Sequence, residues 1–598
     1  MVVKLLMGNE AIAHGAVEAG VKVAAAYPGT PSSEILETLA TMAREHGFYT
    51  EWSVNEKAAL ETAIGASFAG ARSLAAMKQV GLNVAADPLM SLAYIGIKGG
   101  LVLVVADDPG PHSSQTEQDT RKFAQFAKLP VLDPVNPAEA REMAKYAFEL
   151  SEQLLLPVIL RPTTRTCHAC QDIDLPAGIG KNPPPAGFEK DPNWVIFPSL
   201  SARKHIWLNK QQETAGSILG LSPFNRLEID PGARVGIVAC GLSYNYVREA
   251  LQLTGLQATI LKIGTPYPLP NDPVLELFKH VDRILVIEEQ EPVVEDQLIS
   301  LAWQQGLTAP ISGKHDRLVA REGEFDVDKV KAIIEKFYGL QGQLGQVTPL
   351  PELPLRPPVL CAGCPHRASF YIFKNAARGT EAVFTGDIGC YTLGAIPPLN
   401  ALDTCLCMGA GVTIAAGLHR VEPGRKQVAF LGDSTFFHSG VTGLINAVYN
   451  RADITVVILD NRTTAMTGHQ PHPGIGNTGA DGHGTTVDIT GLARACGVDF
   501  VREVDPYDLT AGVKAACEAM NYNGPAVVIM KRECTALVKK DRPYTISKDD
   551  CIDCGACVED LGCPAIGRQD GLPAINTNCT GCGVCAQICP VQAIRRKL

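Results

Sequence analysis

The stretch that decides the fold reads QVAFLGDSTFFHSGVTGLINAVYNRADITVVILDN, residues 427–461. It contains two apolar runs, at 427–431 and 454–459, with a helical pattern between them. A strand, a helix and a strand in this order form a right-handed crossover, so we expect two parallel, adjacent strands. Asp433 and Asn461 directly follow the two runs. Both side chains are therefore expected at the same carboxyl edge of one sheet.

That edge is where open α/β sheets bind their ligands. Two hard oxygen donors there suit Mg2+ on a diphosphate. Upstream, Met408-Gly409-Ala410-Gly411 opens an Ala- and Gly-rich helix whose backbone can approach a phosphate. The alternative is that Asp433 and Asn461 are ordinary turn residues at strand ends.

The same alternation of short apolar runs and Ala-rich helical stretches extends over most of the chain, which predicts an α/β multidomain protein with doubly wound parallel sheets. A length of 598 residues predicts about four domains. A Pro-rich stretch at 175–192, including Pro183, Pro184 and Pro185, predicts a surface segment. We expect domains over residues 1–200, 231–340 and 361–540, a Pro-rich linker over 341–360 and a Cys-rich domain over 541–598.

Composition excludes several classes of protein. Hydrophobic residues make up 46% and charged residues 19%, as in ordinary globular chains. The 53 basic and 63 acidic side chains give a net charge of -10, which argues against nucleic acid as the main partner. No apolar window has the roughly 18 residues of a membrane span, and the N-terminus lacks the pattern of a secretory signal. We therefore expect no membrane span and a cytoplasmic location.

Cysteine is distributed unevenly, with eight of 19 in residues 551–598. Two similar runs, at 551–557 and 579–585, each hold three cysteines with two-residue gaps, and each is followed by Cys-Pro. Such thiols converge from one tight loop, and soft thiolate suits the iron of a sulfide cluster. Two structural zinc sites are the alternative, because a four-Cys shell would also hold zinc.

The two runs resemble the two-cluster bacterial-type ferredoxin module, in which the fourth cysteine of each run serves the other cluster. The resemblance implies one 4Fe–4S centre on Cys551, Cys554, Cys557 and Cys589, and a second on Cys563, Cys579, Cys582 and Cys585. One departure is that five residues separate Cys557 from Cys563, whereas the second run has the usual gap of three.

The segments Gly432-Asp433-Ser434 and Asp460-Asn461 resemble the thiamine diphosphate motif, usually Gly-Asp-Gly followed by Asn-Asn; Ser434 and Asp460 depart from it. The resemblance implies that Asp433, Asn461 and the main-chain carbonyl of Thr463 ligate Mg2+. The remaining residues implied to bind the cofactor are Gly409, Gly411, Gly432 and Ser434.

Thiamine enzymes also need a carboxyl group beside the aminopyrimidine ring. Glu56 heads an Ala-rich helix after a predicted strand and matches that position of the pyrimidine-binding domain; Glu51 and Glu61 are the competing candidates. A surface glutamate in a first helical turn is the alternative. Tyr27-Pro28-Gly29-Thr30-Pro31-Ser32-Ser33 resembles an element of the 2-oxoacid:ferredoxin oxidoreductases, which implies that Thr30 contacts the substrate carboxylate; a helix cap is the alternative.

Cys361-Ala-Gly-Cys364, Cys390 and Cys534 are spread like the ligands of the cluster nearest thiamine in that family, which implies a third cluster. The alternative is that these cysteines are simply buried, because free cysteine is often buried without a ligand role. Cys167 and Cys170 form another two-residue-gap pair, which we interpret as structural.

The order of domains resembles the large, alpha subunit of indolepyruvate:ferredoxin oxidoreductases, with a transketolase C-terminal-like domain at 231–340. The loops 106–115 and 463–474 add to the resemblance. It implies oxidative decarboxylation of aryl 2-oxoacids to acyl-CoA and CO2 with thiamine diphosphate and Mg2+. The implied partners are coenzyme A, ferredoxin and a small beta subunit in an alpha2beta2 assembly. The alternatives are another 2-oxoacid, such as pyruvate or a branched-chain acid, or a non-catalytic electron-transfer subunit.

Overall fold

A computed structural model describes residues 2–176, 184–340, 354, 356–479 and 482–597. The chain forms two compact units, Met1–Leu350 and Pro351–Leu598. Much of the expected linker at 341–360 lies outside the described residues, as does Pro183. Pro184 and Pro185 are exposed, in agreement with a surface segment.

The first unit begins with a six-stranded parallel sheet. The strands of this region are β1 (Val2–Met7), β2 (Val23–Ala26), β3 (Tyr49–Trp52), β4 (Ser73–Lys78), β5 (Leu101–Ala106), β6 (Val131–Leu132), β7 (Val158–Leu160) and β8 (Cys170–Leu175). The sheet order is β3-β2-β4-β5-β7-β6, while β1 and β8 form a separate antiparallel pair. Every residue of β5 is buried, which is typical of a parallel strand covered on both faces.

Helices connect these strands in the expected alternation. They are α1 (Gly8–Glu18), α2 (Ser33–His46), α3 (Glu56–Phe68), α4 (Gln79–Val84), α5 (Ala86–Ile95), α6 (Thr120–Ala127), α7 (Pro137–Leu154) and α8 (Thr164–His168). Residues 201–230 carry no predicted element, yet a 23-residue helix, α9 (Pro198–Gly220), occupies most of them. Its sequence lacks a clear apolar period, and only Leu200, Leu208, Ala215 and Leu219 are buried.

A second sheet in this unit has the order β13-β12-β10-β11-β9, in which only β9 is antiparallel. Its strands are β9 (Arg226–Glu228), β10 (Val235–Cys240), β11 (Thr259–Ile263), β12 (Arg283–Ile287) and β13 (Ile311–Ser312). Its helices are α10 (Ser243–Thr254), α11 (Asn271–Phe278), α12 (Val293–Gln304) and α13 (Val327–Phe337). Apolar runs at 234–239, 258–263 and 283–287 predict three strands here, and β10, β11 and β12 lie within one residue of those bounds.

The second unit is built on a six-stranded parallel sheet with the order β15-β14-β16-β17-β19-β18. Its strands are β14 (Val383–Gly386), β15 (Thr404–Cys405), β16 (Gln427–Gly432), β17 (Thr455–Asp460), β18 (Phe500–Val504) and β19 (Ala526–Lys531). Its helices are α14 (Pro365–Ala376), α15 (Ala410–Val421), α16 (Asp433–Thr435), α17 (Val441–Tyr449), α18 (Ile489–Ala495) and α19 (Leu509–Met520). The adjacency of β16 and β17 confirms the expected crossover.

The crossover helix begins earlier than the helical sequence pattern at 439–450 predicts. It starts at Asp433, immediately after β16, and passes through a π-helical turn at Phe436–Gly440 before α17. The apolar period is shifted by this wider turn, which explains the late predicted start. The N-terminal N–H groups of the crossover helix therefore lie at the carboxyl edge of the sheet.

The C-terminal module consists of two small antiparallel pairs, β20–β23 and β21–β22. Its elements are β20 (Tyr544–Ile546), α20 (Ala556–Glu559), β21 (Ile566–Gln569), β22 (Leu572–Ile575), α21 (Val584–Ile588) and β23 (Ile594–Arg596). Cys557, Val584 and Cys585 share one hydrophobic core with Phe370 and Phe430 of the larger sheet region. Of the helices the structure describes, none combines the length and apolarity of a membrane span.

Candidate functional site

Asp433 and Asn461 meet at the carboxyl edge of the second unit's sheet, as expected from their strands. Gly432 is in register with Leu459 across β16 and β17. The Arg462 N–H donates to Asp433 Oδ2 at 2.8 Å, so the turn after β17 is joined directly to the turn after β16. The Thr463 N–H donates to Asn461 Oδ1 at 3.3 Å. The side chains proposed from sequence are thus brought together.

This edge is buried and carries concentrated negative charge. Burial opposes the charge of Asp433, yet His472 and the Ser434 N–H outweigh it and lower the pKa of Asp433. Burial, together with Asp433, raises the pKa of Asp460 to about 6. A cation bound beside two neighbouring carboxyl groups favours the charged form of both.

One buried polar atom at this edge is free to meet a further group. Thr463 Oγ1 has no hydrogen-bond partner among the described residues, whereas His472 Nε2 lies 3.0 Å from Asp433 Oδ2. Across the described part of the chain, no three His, Cys, Asp or Glu side chains are placed to hold one metal ion. The donors here are instead one carboxylate, one amide and a main-chain carbonyl, which suit a hard cation that also takes diphosphate oxygens. The residues therefore fit Mg2+ on a diphosphate.

Gly409, which precedes α15, packs closely against neighbouring residues. Gly409 adopts a φ of +80°, and a Cβ there would lie 2.5 Å from Ser439 Oγ. Its N–H donates to Asp387 Oδ2 at 2.7 Å. Burial raises the pKa of Asp387 to about 7. Tyr391 donates to Asp387, and a Cβ added at Gly432 would lie only 2.8 Å from Tyr391 Cε1. Only a glycine fits at both positions.

Glu56 begins α3 at the carboxyl edge of the first unit's sheet and is 6% exposed. The Asn55 side chain caps this helix by accepting from the Ala58 N–H at 2.9 Å. A Cβ at Gly81 would lie 2.6 Å from Glu56 Oε1, so α4 presses its backbone against the carboxylate. A buried glutamate held in this way is unlike the surface residue of the alternative interpretation.

The competing glutamates have other partners. Glu51 Oε1 accepts from Ser53 at 2.6 Å and from Thr62 at 3.2 Å. Glu61 pairs with Lys57 at 2.5 Å, and both side chains are more than two-fifths exposed. Neither has the burial of Glu56.

Thr30 lies in the loop after β2, at the same edge as Glu56. Its carbonyl accepts from Ser113 Oγ at 3.0 Å, which joins the 27–33 element to the 106–115 loop. Lys78, the last residue of β4, packs its stem 3.2 Å from the Cβ position of Gly29. The Lys78 ammonium donates to the Ser113 carbonyl at 3.4 Å. Burial lowers the pKa of Lys78, with Asp108 and Glu56 opposing.

The thiols of the C-terminal module fall into two groups. A small, mostly apolar cavity is lined by Cys551, Cys554, Cys557 and Cys589. In the other group, Cys563 and Cys579 act with burial to raise the pKa of Cys582, and burial with Cys582 raises the pKa of Cys585 to about 12. Such crowded, buried thiols ionise on binding a cationic metal centre. The grouping follows the crossed pattern that the resemblance implies, including Cys563.

The four cysteines of the expected third cluster affect one another's pKa, and Asp433 also acts on Cys390 and Cys534. Burial is the main cause that raises the pKa of Cys390 to about 11, with Cys534 and Cys361 adding to it. Burial raises the pKa of Cys364 to about 12, to which Cys361 contributes. The Cys534 N–H donates to the Asn461 carbonyl at 2.9 Å. These residues therefore fit a metal cluster beside the proposed magnesium edge.

The Cys167–Cys170 pair gains no metal-binding partner among the described residues. Cys167 is buried at the end of α8, and Cys170 is exposed in β8. Both are free thiols.

Four family models match along the chain. They describe a thiamine diphosphate-binding domain of pyruvate flavodoxin/ferredoxin oxidoreductases at 14–191, an indolepyruvate oxidoreductase domain at 225–337, a C-terminal TPP-binding domain of thiamine pyrophosphate enzymes at 387–530 and a 4Fe-4S binding domain at 574–595.

Full-length relatives decide the family. Indolepyruvate oxidoreductase subunit IorA of Thermococcus kodakarensis is 44% identical, over 98% of this chain and 96% of that protein. The chain belongs to the indolepyruvate oxidoreductase subunit IorA family. The IorA of Archaeoglobus fulgidus is 43% identical over 99% of this chain and 97% of its own length. A solved 2-oxoglutarate:ferredoxin oxidoreductase from Magnetococcus marinus aligns over 56% of this chain and 65% of its own at 18% identity, with a TM-score of 0.45.

This membership confirms several predictions. The IorA-family chain is a thiamine-diphosphate-dependent oxidoreductase subunit with an α/β multidomain fold. It also carries the predicted iron–sulfur module, because the 4Fe-4S match covers the second cysteine run. Zinc is thereby disfavoured at the second run.

Sequence reasoning missed residues that complete these sites. Asp387 and Tyr391 support the Gly409 loop. His366 Nε2 lies 3.3 Å from the Asn461 amide, and burial lowers the pKa of His366 to about 4, so it is neutral. Lys78 had one available signal: a lysine that ends an otherwise apolar strand.

Proposed function

We propose that this chain is the large subunit of an enzyme that oxidatively decarboxylates aryl 2-oxoacids, such as indole-3-pyruvate, to acyl-CoA and CO2 with ferredoxin as electron acceptor. The supporting observation is the edge cluster of Asp433, Asn461 and Thr463 in a chain similar to IorA proteins over nearly its full length. We also propose the domain boundaries expected above, a small beta subunit as partner and an alpha2beta2 assembly.

In this proposal, bound thiamine diphosphate supplies the electron sink for decarboxylation. Asp433, Asn461 and the Thr463 carbonyl hold Mg2+. Gly409, Gly411, Gly432 and Ser434 give the diphosphate a close backbone approach, with N–H groups at the start of a helix. Glu56 holds, at its carboxyl oxygen, the proton exchanged with the aminopyrimidine ring.

Two residues of the first unit bind the substrate. Thr30 contacts the 2-oxoacid carboxylate, and Lys78 supplies the opposite charge. Among the described residues no carboxylate forms an ion pair with Lys78, which donates to the Ser113 carbonyl at 3.4 Å. A partly desolvated ammonium in this position gains most from an anionic substrate.

Electrons leave through iron–sulfur centres. The proposed third cluster, on Cys361, Cys364, Cys390 and Cys534, lies beside the magnesium edge. The 361–364 turn touches the 579–582 turn, since a Cβ at Gly363 would overlap Thr580 Oγ1. Cys563, Cys579, Cys582 and Cys585 would therefore hold the centre nearer the third cluster. Cys551, Cys554, Cys557 and Cys589 would hold the other centre, which would supply the route to ferredoxin.

The test uses the chain co-purified with its beta subunit without oxygen. Viologen reduction is measured with indole-3-pyruvate, phenylpyruvate, pyruvate and a branched-chain 2-oxoacid, each with and without coenzyme A. We expect coenzyme A-dependent reduction that is fastest with the aryl substrates. A preference for pyruvate or the branched-chain acid would overturn the substrate class, and turnover independent of coenzyme A would overturn the acyl-CoA product.

A further inference from the structure

Arg367 is a buried arginine in α14 that no step proposed above uses. The residue is 4% exposed. Nη1 donates to the carbonyls of Leu561 at 2.9 Å and Gly562 at 2.6 Å, and Nη2 donates to the Leu360 carbonyl at 2.6 Å. The guanidinium therefore joins the residue before Cys361 to the residues before Cys563.

Four thiols act electrostatically on the charge of Arg367. Burial lowers its pKa, and the groups that oppose this effect are Cys563, Cys364, Cys361 and Cys582. Two of these belong to the third-cluster set and two to the ferredoxin module. Within the described ranges no carboxylate forms an ion pair with Arg367. Because arginine stays protonated in proteins, a full positive charge is fixed between the two sets.

Not every donor of Arg367 is used. Three bonds engage both N–H groups of Nη1 and one of Nη2, while the Nε–H is buried without a hydrogen-bond partner among the described residues. Buried donors are rarely left unpaired, so an acceptor is expected at this position. The titratable side chains that act on Arg367 are four thiols. A sulfur atom of a cluster held by these thiols would supply an acceptor.

We propose that Arg367 is a positioning residue for electron transfer. It supplies a fixed positive charge and an N–H donor between the third cluster and the centre on Cys563, Cys579, Cys582 and Cys585. The proposal rests on the proposed function for the third cluster. In each passage one cluster loses one electron and the next gains it, with no bond broken; the electrons come from the 2-oxoacid and leave on ferredoxin. A reduced cluster carries one more negative charge, so Arg367 raises the reduction potentials of both.

The test is an EPR-monitored redox titration of the full complex with its beta subunit, without oxygen. Arg367→Gln removes the charge, and Arg367→Lys keeps it. We expect Arg367→Gln to lower the reduced fraction of the adjacent clusters about tenfold at a fixed potential, a shift of about 59 mV per electron. Arg367→Lys should retain most of the wild-type potentials. Arg420→Gln is the matched control, because that exposed guanidinium also donates to a carbonyl, of Asn450, on the surface.

Unchanged potentials in an iron-replete Arg367→Gln protein would overturn the proposal. If Arg367→Gln fails to load iron, Arg367→Lys decides: wild-type potentials support a role for charge, and potentials shifted as expected for Arg367→Gln refute it. The iron content of the wild-type protein separates this result from the proposed function. An iron content of about eight rather than about twelve atoms per chain would exclude the third cluster. The reduction potential of the centre on Cys563 and Cys582 would still report on Arg367.

Discussion

Replacing Gly81 by alanine tests the placement of Glu56 without changing the carboxylate itself. The added Cβ would lie 2.6 Å from Glu56 Oε1 and 2.7 Å from its Cγ. Ordinary contact starts near 3.4 Å, so the side chain must move by about 0.8 Å. A displacement of about 1 Å in a catalytic group costs on the order of 10²-fold in rate. We therefore expect kcat to fall about 10²-fold, which corresponds to about 2.7 kcal/mol.

The fold should tolerate this change. Gly81 lies inside α4, and alanine is favoured over glycine in a helix by about 1 kcal/mol. Gly65→Ala is the matched control: it lies on α3, the helix that Glu56 begins, and its Cβ would meet nothing within 4 Å. We expect Gly65→Ala to retain wild-type turnover.

The assay is indole-3-pyruvate-dependent viologen reduction by the oxygen-free complex, with thiamine content measured alongside. Full turnover in Gly81→Ala would refute the tight placement of the carboxylate. Full turnover in Glu56→Gln would refute its role in the reaction.

Three further predictions concern metal content, substrate binding and pH. Cys390→Ser should remove about four irons per chain, whereas Cys496→Ser should remove none; equal iron contents would exclude the third cluster. Lys78→Met should raise KM for the 2-oxoacid at least tenfold with a smaller change in kcat, and an unchanged KM would exclude the charge contact. Burial raises the pKa of Glu289 to about 7, so its stabilising neutral form is fully present below about pH 4.5 and is lost as the pH rises through 7. The free energy of unfolding of Glu289→Gln, taken relative to wild type, should therefore be up to about 3 kcal/mol higher at pH 8 than at pH 5. The measurement is the first calorimetric transition at each pH, and equal effects at both pH values would contradict this prediction.

Element positions were predicted well where a local pattern exists. The strands before Asp433 and Asn461 are buried at every position and mostly apolar, so the sequence pattern with its flanking turns indicates two parallel strands. The helix α9 was missed because only four of its 23 residues are buried, so no apolar face marks it. The early start of the crossover helix was missed because a π-turn shifts the period.

The sequence by itself determined the parallel sheets, the residues at their carboxyl edges and the cysteine runs, because strand period and ligand spacing are properties of neighbouring residues. Only the tertiary structure decided that Gly81 and Lys78 surround Glu56, and that Arg367 lies between thiols from Cys361 and Cys563. These contacts join residues far apart in the chain. They depend on how helices and loops pack, and packing is set by shape and burial across the whole core rather than by any local pattern.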